Sequence, residues 1–283
     1  MKSVKYEACK IIFLDIDGTL TSGFNHIPQS ARNACRRARE NGHLLYIATG
    51  RTREQIAPSI LGIGFDGIIS SAGARIETGG IVIFSAFLPP PLLDRLLAYL
   101  DGGNAPYMLE TPGKIAANPR YVLSLETSAF KWTPRGIVSW LFIRRLQSST
   151  RLLEAGFDRE QVYKLVFRES ECLRFEDVER EFRAECELFR FSIPVSVKGG
   201  GEITSSGVNK GTALERVARF HGIRRENTIA FGDSDNDRPL LACAGLGIAM
   251  GNGDEALKQA ADDVTGHVSR GGLAAAFRKY ALA

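Results

Sequence analysis

The sequence predicts an α/β fold, in which a doubly wound, mostly parallel sheet carries a second, inserted domain. Short apolar runs alternate with helical segments near both ends of the chain, as is typical of parallel strands connected by helices. From about residue 85 to residue 196 this pattern becomes irregular. The length of 283 residues suits two domains, or one domain with a large insertion.

The first half of the sheet is predicted near the N-terminus. Residues 10–19 contain a short aliphatic run that ends near a glycine, which indicates a strand buried on both faces. A helix follows over residues 29–41, where Asn-Gly gives a stop signal, and a strand over residues 43–49. A third strand is predicted at residues 67–70, followed by a hairpin near residues 76–84.

The same alternation of strands and helices occurs near the C-terminus, with a helix predicted over residues 211–221 and strands over residues 228–232 and 245–250. These elements complete a sheet with helices on both of its faces. The two halves surround a stretch that opens on three consecutive prolines from Pro89, which indicate a linker. Residues 121–126 within it are strand-like.

These observations predict two domains. Residues 1–84 and 195–283 are assigned to the sheet domain, and residues 85–194 to the inserted domain. Aromatic residues of the insertion are expected to form its core rather than to stack on a ligand; they are Phe130, Trp132, Trp140 and Tyr163.

The composition excludes several classes of protein. Hydrophobic residues make up 44% and charged residues 24%, and the formal charge is only +4, so a nucleic-acid partner is not expected. No apolar run is long enough to span a bilayer and the N-terminus lacks a signal peptide pattern, so a cytoplasmic protein without a membrane role is expected. The five cysteines are widely spaced and form no Cys-x-x-Cys pair, which argues against a disulfide framework and a zinc site.

Polar residues follow the predicted strands at the edge where parallel sheets bind ligands; they are Asp15, Asp17, Thr49, Asp233 and Asp237. Asp15 and Asp17 are two positions apart, so their side chains are expected to project to the same side. So many carboxylates at one edge are unfavourable unless a cation lies among them. Mg²⁺ prefers such oxygen ligands, and zinc is a poor match because no Cys or His is near.

Four segments of the chain occur in the order and spacing of a known set of motifs. They are Asp15-Ile-Asp-Gly-Thr-Leu20, Thr49-Gly-Arg51, Lys210-Gly211 and Gly232-Asp-Ser-Asp-Asn-Asp237. With these motifs the chain resembles the haloacid dehalogenase (HAD) superfamily of phosphatases, type IIB, Cof-type subfamily. The segments 247–252 and 261–265 are also similar to that subfamily.

The resemblance implies a fold, an activity and a cofactor. The fold is a Rossmann-like HAD core with an inserted α+β cap domain of the C2 type, and the cap is expected to carry specificity. The activity is Mg²⁺-dependent hydrolysis of a phosphate monoester of a small metabolite, a sugar phosphate or similar, through an aspartyl-phosphate intermediate. The expected partner is therefore a small-molecule phosphate ester; the oligomeric state stays open.

The resemblance also implies a role for each motif residue. Asp15 is the nucleophile and Asp17 the general acid and base. Phosphate binding falls to Thr49, Gly50, Lys210 and Asn236, and metal binding to Asp15, Asp17 through its backbone carbonyl, Asp233 and Asp237, the last as a further or outer ligand. Arg51 either approaches phosphate or pairs with a surface acid.

One position departs from the subfamily, which commonly has an Asn-Gly-Ala turn after the third strand. Here Ala72 replaces the asparagine and cannot make its amide contacts, so Ser70 or Ser71 is expected to compensate. Two alternatives to hydrolysis remain at this stage. One is a phosphotransferase or phosphomutase that uses the same intermediate, and the other is a metabolite-binding regulator without turnover.

Overall fold

The computed structural model describes residues 9–23, 25–128, 150–153, 156–190 and 199–283, and Phe130, Trp132 and Trp140 lie outside these ranges. The strands are β1 (Ile11–Leu14), β2 (Leu44–Ala48), β3 (Gly67–Ser70), β4 (Arg75–Thr78), β5 (Ile81–Ser85), β6 (Tyr107–Thr111), β7 (Lys114–Ala117), β8 (Thr150–Leu152), β9 (Lys164–Arg168), β10 (Cys186–Arg190), β11 (Gly200–Ser205), β12 (Thr228–Gly232), β13 (Leu246–Ala249) and β14 (Asp263–Val264).

The α-helices of the described residues connect these strands. They are α1 (Gln29–Glu40), α2 (Pro58–Leu61), α3 (Pro90–Gly102), α4 (Pro119–Ser128), α5 (Phe175–Phe182), α6 (Lys210–Phe220), α7 (Arg238–Cys243), α8 (Glu255–Ala260) and α9 (Gly272–Lys279). None of these described helices is long and apolar enough to cross a membrane.

In the part of the chain that the structure describes, the first sheet has eight strands in the order β14-β13-β12-β1-β2-β3-β4-β5. Strand β1 pairs in parallel with β12 on one side and with β2 on the other, and the β3-β4-β5 edge is antiparallel. The strand order therefore runs outwards from β1 in both directions, which creates a switch point beside its carboxyl end. The predicted fold class is confirmed.

Strand β1 lies at the centre because all four of its side chains are apolar and fully buried. Its alternate residues face opposite ways: Ile12 and Leu14 pack towards α1 and α9, whereas Ile11 and Phe13 pack towards α6 and α7. Burying each such side chain contributes about 1.5–3 kcal/mol. The strand is thus fixed on both faces, and its carboxyl end is held rigidly.

Within the described residues, the second sheet has six strands in the order β10-β11-β9-β6-β7-β8, and its pairs are antiparallel except β7 with β8. One of its faces packs on α3 and α5 through residues such as Leu96, Phe167 and Val178. Strand β11 belongs to this sheet, although the sequence assigned residues 195–283 to the first sheet. The division into two domains stays a prediction.

The prediction that residues 121–126 are strand-like is wrong, because these residues lie within helix α4. Asn118 caps this helix: its Oδ1 accepts a hydrogen bond from the Tyr121 N–H at 2.9 Å. Pro119 occupies the first helical position, where a missing N–H has no consequence. A start signal therefore outweighs the β-forming residues that suggested a strand.

Candidate active site

Three neighbouring parallel strands end at one edge of the first sheet and present polar side chains there. Asp15 directly follows β1, Asp233 follows β12 and Thr49 follows β2. Because β12, β1 and β2 are adjacent and parallel, their carboxyl ends share that edge. The fold thus gathers residues from distant parts of the chain into a single site.

Lys210 is the buried cation of this site. It begins α6, which the side chain of the preceding Asn209 caps. Its Nζ donates to Asp15 Oδ1 at 2.8 Å, to Asp237 Oδ1 at 2.6 Å and to Asn236 Oδ1 at 3.1 Å. Burial alone lowers the pKa of Lys210, but the charges of Asp15 and Asp237 outweigh it and raise this pKa above its ordinary value. The lysine therefore stays charged.

Asp237 has no exposed surface and anchors the loop after β12. Its Oδ1 accepts from Lys210, and its Oδ2 accepts from the N–H groups of Asp233 at 3.0 Å and Ser234 at 3.1 Å. Charge-assisted hydrogen bonds to backbone N–H groups are among the stronger ones. Asp237 therefore fixes where Asp233 lies.

The carboxylates of Asp15, Asp233 and Asp237 form a cluster whose ligand atoms lie within 4.8 Å of one another. Burial raises the pKa of Asp15 to about 7, with Lys210 opposing the shift and Asp237 adding to it. Burial, with the charges of Asp15 and Asp237, raises the pKa of Asp233 to about 9. Three acids beside one lysine leave a negative excess, and this all-oxygen donor set fits a hard divalent cation such as Mg²⁺.

A glycine allows the two acidic loops to approach each other. Gly18 has a φ of +86°, and a Cβ at this position would lie 1.9 Å from Asp233 Oδ2. The side chain of Asn252 donates to Gly18 O at 2.8 Å and so holds the turn in place. Only a residue without a side chain fits this position.

Asp17 lies apart from the three-carboxylate cluster. Its side chain is 59% exposed and pairs with Arg51, whose Nε and Nη2 donate to the two carboxylate oxygens at 2.7 and 2.5 Å. Arg51 also donates to Asn25 Oδ1 at 2.7 Å. The sequence expected the side chains of Asp15 and Asp17 to face the same way. In the structure the exposed Asp17 side chain pairs with Arg51 and is not part of the three-carboxylate cluster.

Thr49 and Gly50 form the next wall of the site. Thr49 is buried, and its Oγ1 accepts a hydrogen bond from the Arg51 N–H at 3.2 Å. The Ala72 N–H donates to Thr49 O at 3.0 Å from a turn in which Ala72 has a φ of +56°. Ala72 therefore supports the Thr49 loop through its backbone, although it lacks the amide side chain that is common at this position in the subfamily that the chain resembles.

Comparison with known proteins identifies the family. A family model described as haloacid dehalogenase-like hydrolase matches residues 12–277, which is most of the chain. The chain belongs to this family. The predicted superfamily and the prediction of a hydrolytic enzyme are confirmed.

Individual relatives match this chain over nearly its whole length. YkrA of Bacillus subtilis is 30% identical over 277 residues, covering 96% of this chain and 98% of YkrA. The 5-amino-6-(5-phospho-D-ribitylamino)uracil phosphatase YcsE of the same species is 29% identical over 278 residues, covering 96% of each. The solved structure of the HAD subclass IIB sugar phosphatase BT4131 has a TM-score of 0.77 at 26% identity, covering 97% of this chain and 100% of that chain. The predicted type IIB resemblance is confirmed.

Sequence reasoning missed three charged residues of the second sheet that adjoin the site of this hydrolase. Lys164 Nζ donates to Gly50 O at 2.5 Å and lies 3.3 Å from Glu110 Oε1 and 3.1 Å from Glu202 Oε2. Burial raises the pKa of Glu110 to about 7, with Lys164 opposing this shift and Glu202 adding to it. A charged residue within a strand that otherwise reads as apolar is the signal that could have found them.

Proposed function

We propose that this hydrolase is a Mg²⁺-dependent phosphatase that removes the phosphate group from a small phosphorylated metabolite through an aspartyl-phosphate at Asp15. The observation that carries the proposal is the buried Asp15 carboxylate at the end of the central strand, bonded through one oxygen to the buried Lys210 and lying beside Asp233. The names of YcsE and BT4131, a phosphatase of a phosphoribityl compound and a sugar phosphatase, support the substrate class.

In the first half-reaction, an oxygen of Asp15 attacks the phosphorus of the ester. Lys210 binds Oδ1, so the carboxylate is fixed and its other oxygen is available to form the new O–P bond. The bond between phosphorus and the ester oxygen breaks, and Asp17, in its protonated form and no longer paired with Arg51, gives its proton to that oxygen. The exposed side chain of Asp17 suits contact with a departing group.

In the second half-reaction, water attacks the aspartyl-phosphate. Asp17, now ionised, takes a proton from the water, and the bond between phosphorus and the Asp15 oxygen breaks to release inorganic phosphate. The Asp15 carboxylate and a protonated Asp17 are then restored. Splitting one displacement into two easier steps lowers the overall barrier.

Phosphate binding is assigned to Thr49, Gly50, Lys210 and Asn236. The hydroxyl of Thr49 already accepts from a backbone N–H, which leaves its own hydrogen to donate to a phosphoryl oxygen. The Lys210 ammonium lies between Asp15 and Asn236, where it can oppose the charge that develops on the phosphoryl oxygens. Gly50 leaves space at this wall because it has no side chain.

Metal binding is assigned to Asp15, Asp233 and the backbone carbonyl of Asp17, with Asp237 as an outer residue. Both oxygens of Asp237 are already bonded to Lys210 and to backbone N–H groups, so it acts through the orientation of Asp233. When bound, the ion neutralises charge on the phosphoryl group.

Phosphate release from a panel of esters tests the proposal. The panel contains sugar phosphates, phosphoglycerates, nucleotides and cofactor phosphates, each assayed with Mg²⁺ or with a chelator. We expect Mg²⁺-dependent release that Asp15→Asn lowers by roughly 10⁴-fold or more, because the amide is no nucleophile.

Asp94→Asn is the matched control, since Asp94 is an exposed acid that pairs with Arg159 on the surface. This variant should keep the activity of the unmodified enzyme. Full activity of Asp15→Asn, or equal release with Mg²⁺ and with chelator, would contradict the proposal.

A further inference from the structure

One face of the second sheet carries a buried group of charges, which we call the roof cluster: Glu110, Lys164 and Glu202. These residues lie on the adjacent strands β6, β9 and β11. Glu110 is directly opposite Lys164, and Glu202 is opposite Val166, two positions along β9 from Lys164. Side chains paired in this way lie on the same face. The opposite face is the one that packs on α3 and α5.

The roof cluster adjoins the wall of the active site formed by Gly50. Lys164 Nζ donates to Gly50 O, across the boundary between the two sheets. A Cβ on Gly50 would lie 3.3 Å from each carboxylate oxygen of Glu202 and 3.4 Å from Asn236 Nδ2. Glu202 and Asn236 therefore both adjoin Gly50, and Gly50 and Asn236 are both assigned to phosphate binding. A leaving group that extends past Gly50 would meet this carboxylate.

The roof cluster has more hydrogen-bond acceptors than donors. Oε2 of Glu110 and Oε2 of Glu202 are buried without a well-directed hydrogen bond from the described residues, although the Ser71 side chain adjoins Glu110 and Lys164 Nζ lies 3.1 Å from Glu202 Oε2. Buried carboxylate oxygens normally have hydrogen-bond donors. The single ammonium of Lys164 is shared among Gly50 O and the two carboxylates, so the acceptors of the roof cluster outnumber its donors and its carboxylates outnumber its cation.

We propose that Glu202, with Glu110 and Lys164 behind it, is a specificity site that binds the leaving group of the phosphate ester. It accepts hydrogen bonds from hydroxyl or ammonium groups and disfavours leaving groups that carry a second anion. This inference rests on the phosphatase function proposed above and specifies its substrate class. Asp15 and Lys210 act on the phosphate that all esters share, whereas Glu202 distinguishes what is attached to it.

Kinetics with matched esters test this site. The esters are glucose 6-phosphate, which has hydroxyl donors, glucosamine 6-phosphate, which adds an ammonium, phosphoglycolate, which adds an anion, and phenyl phosphate, which has neither. We expect the unmodified enzyme to have a higher kcat/KM for the two sugar esters than for phosphoglycolate. Glu202→Gln should lower kcat/KM by about 10–100-fold for the sugar esters and by no more than about 3-fold for phenyl phosphate.

Two further variants keep the test decisive. Glu185→Gln changes an exposed glutamate that pairs with Arg95 and should leave every kcat/KM unchanged. Glu202→Asp keeps the charge one methylene further back and should show the same selective loss to a smaller degree. It replaces Glu202→Gln in the comparison if the latter does not fold.

The outcomes separate this inference from the proposed function. Equal losses for phenyl phosphate and the sugar esters, or a preference of the unmodified enzyme for phosphoglycolate, overturn the specificity site and leave the phosphatase function intact. Absence of phosphate release from every ester overturns the proposed function and this inference together. A selective loss for donor-bearing esters supports both.

Discussion

Gly18 determines how closely the loop after β1 approaches the loop after β12. The left-handed backbone and the contact with Asp233 impose two separate requirements on this residue. At another glycine of the chain, the backbone is left-handed but no neighbouring atom restricts a side chain. Gly42 has the same φ of +86°, but nothing lies within 4 Å of the Cβ that would be added there.

Gly18→Ala should therefore lower both the stability and the activity of the enzyme. Both Gly18→Ala and Gly42→Ala are expected to lose about 1–2 kcal/mol of unfolding free energy, because alanine is strained in the left-handed region. Only Gly18→Ala should also lower kcat/KM, by about 100-fold or more, because it displaces the Asp233 carboxylate. Urea denaturation and phosphate release measure the two effects. Equal activity of the two variants would refute the assigned role of Asp233.

Single residues also mark the limit of what the sequence could predict. Asp15 and Lys210 are 195 positions apart, yet motif order was enough to expect both at one site. The pairing of Arg51 with Asp17 was left open, because surface ion pairs depend on side-chain directions that spacing does not determine. Glu202 was missed, because its importance arises from its proximity to Gly50 across two sheets.

At the scale of elements, helix α4 depends on one buried side chain. Asn118 is buried, and its Oδ1 accepts from the N–H groups of Tyr107 and Tyr121 while its Nδ2 donates to Ala105 O. It therefore caps α4 and also ties it to β6. A residue with two such tasks contributes more than an ordinary surface cap.

Asn118→Ala is accordingly expected to lower the unfolding free energy by about 2–3 kcal/mol, since it removes a cap and leaves buried backbone groups without partners. Asn33→Ala is the control, because Asn33 lies within α1 and bonds only to the side chain of Gln29 among its described side-chain contacts. That variant should be neutral or slightly stabilising, as alanine has the higher helix propensity. Equal denaturation midpoints for both variants would show that Asn118 has no capping role.

The elements of the first sheet followed from apolar runs and stop signals, because those patterns are local. The strands of the second sheet did not, since antiparallel pairing over long separations leaves a weaker local pattern. The segment 121–126 illustrates the difference: its side chains alone favoured a strand, and the cap at Asn118 with Pro119 determined a helix. Strand β11 likewise joined the second sheet through pairing with β9 and β10.

At the scale of the whole molecule, the charge balance of the site couples folding to pH and to metal. Asp15 and Asp233 have pKa values raised from 3.8 to about 7 and about 9, mainly by burial. Between the ordinary value and the raised one, the folded protein holds these protons more tightly than the unfolded chain does. Stability from these groups is therefore fully present at low pH and is lost as the pH rises to about 9.

Thermal unfolding with a chelator should accordingly give a Tm that falls between about pH 6 and about pH 9. Mg²⁺ should raise Tm more at the upper end of this range, because a bound cation stabilises the ionised carboxylates. Asp233→Asn removes the larger titration and should flatten the decline in chelator. An equal effect of Mg²⁺ on Tm at about pH 6 and at about pH 9 would contradict the assignment of the metal site.

Trapping the covalent intermediate tests whether Asp15 is the nucleophile. The enzyme is mixed with a sugar phosphate labelled in its phosphoryl group, quenched with acid during turnover and digested for peptide analysis. We predict an alkali-labile label on the peptide that contains Asp15, and none in Asp15→Asn. Continued turnover with no label on the protein, or a label on a different residue, would contradict it.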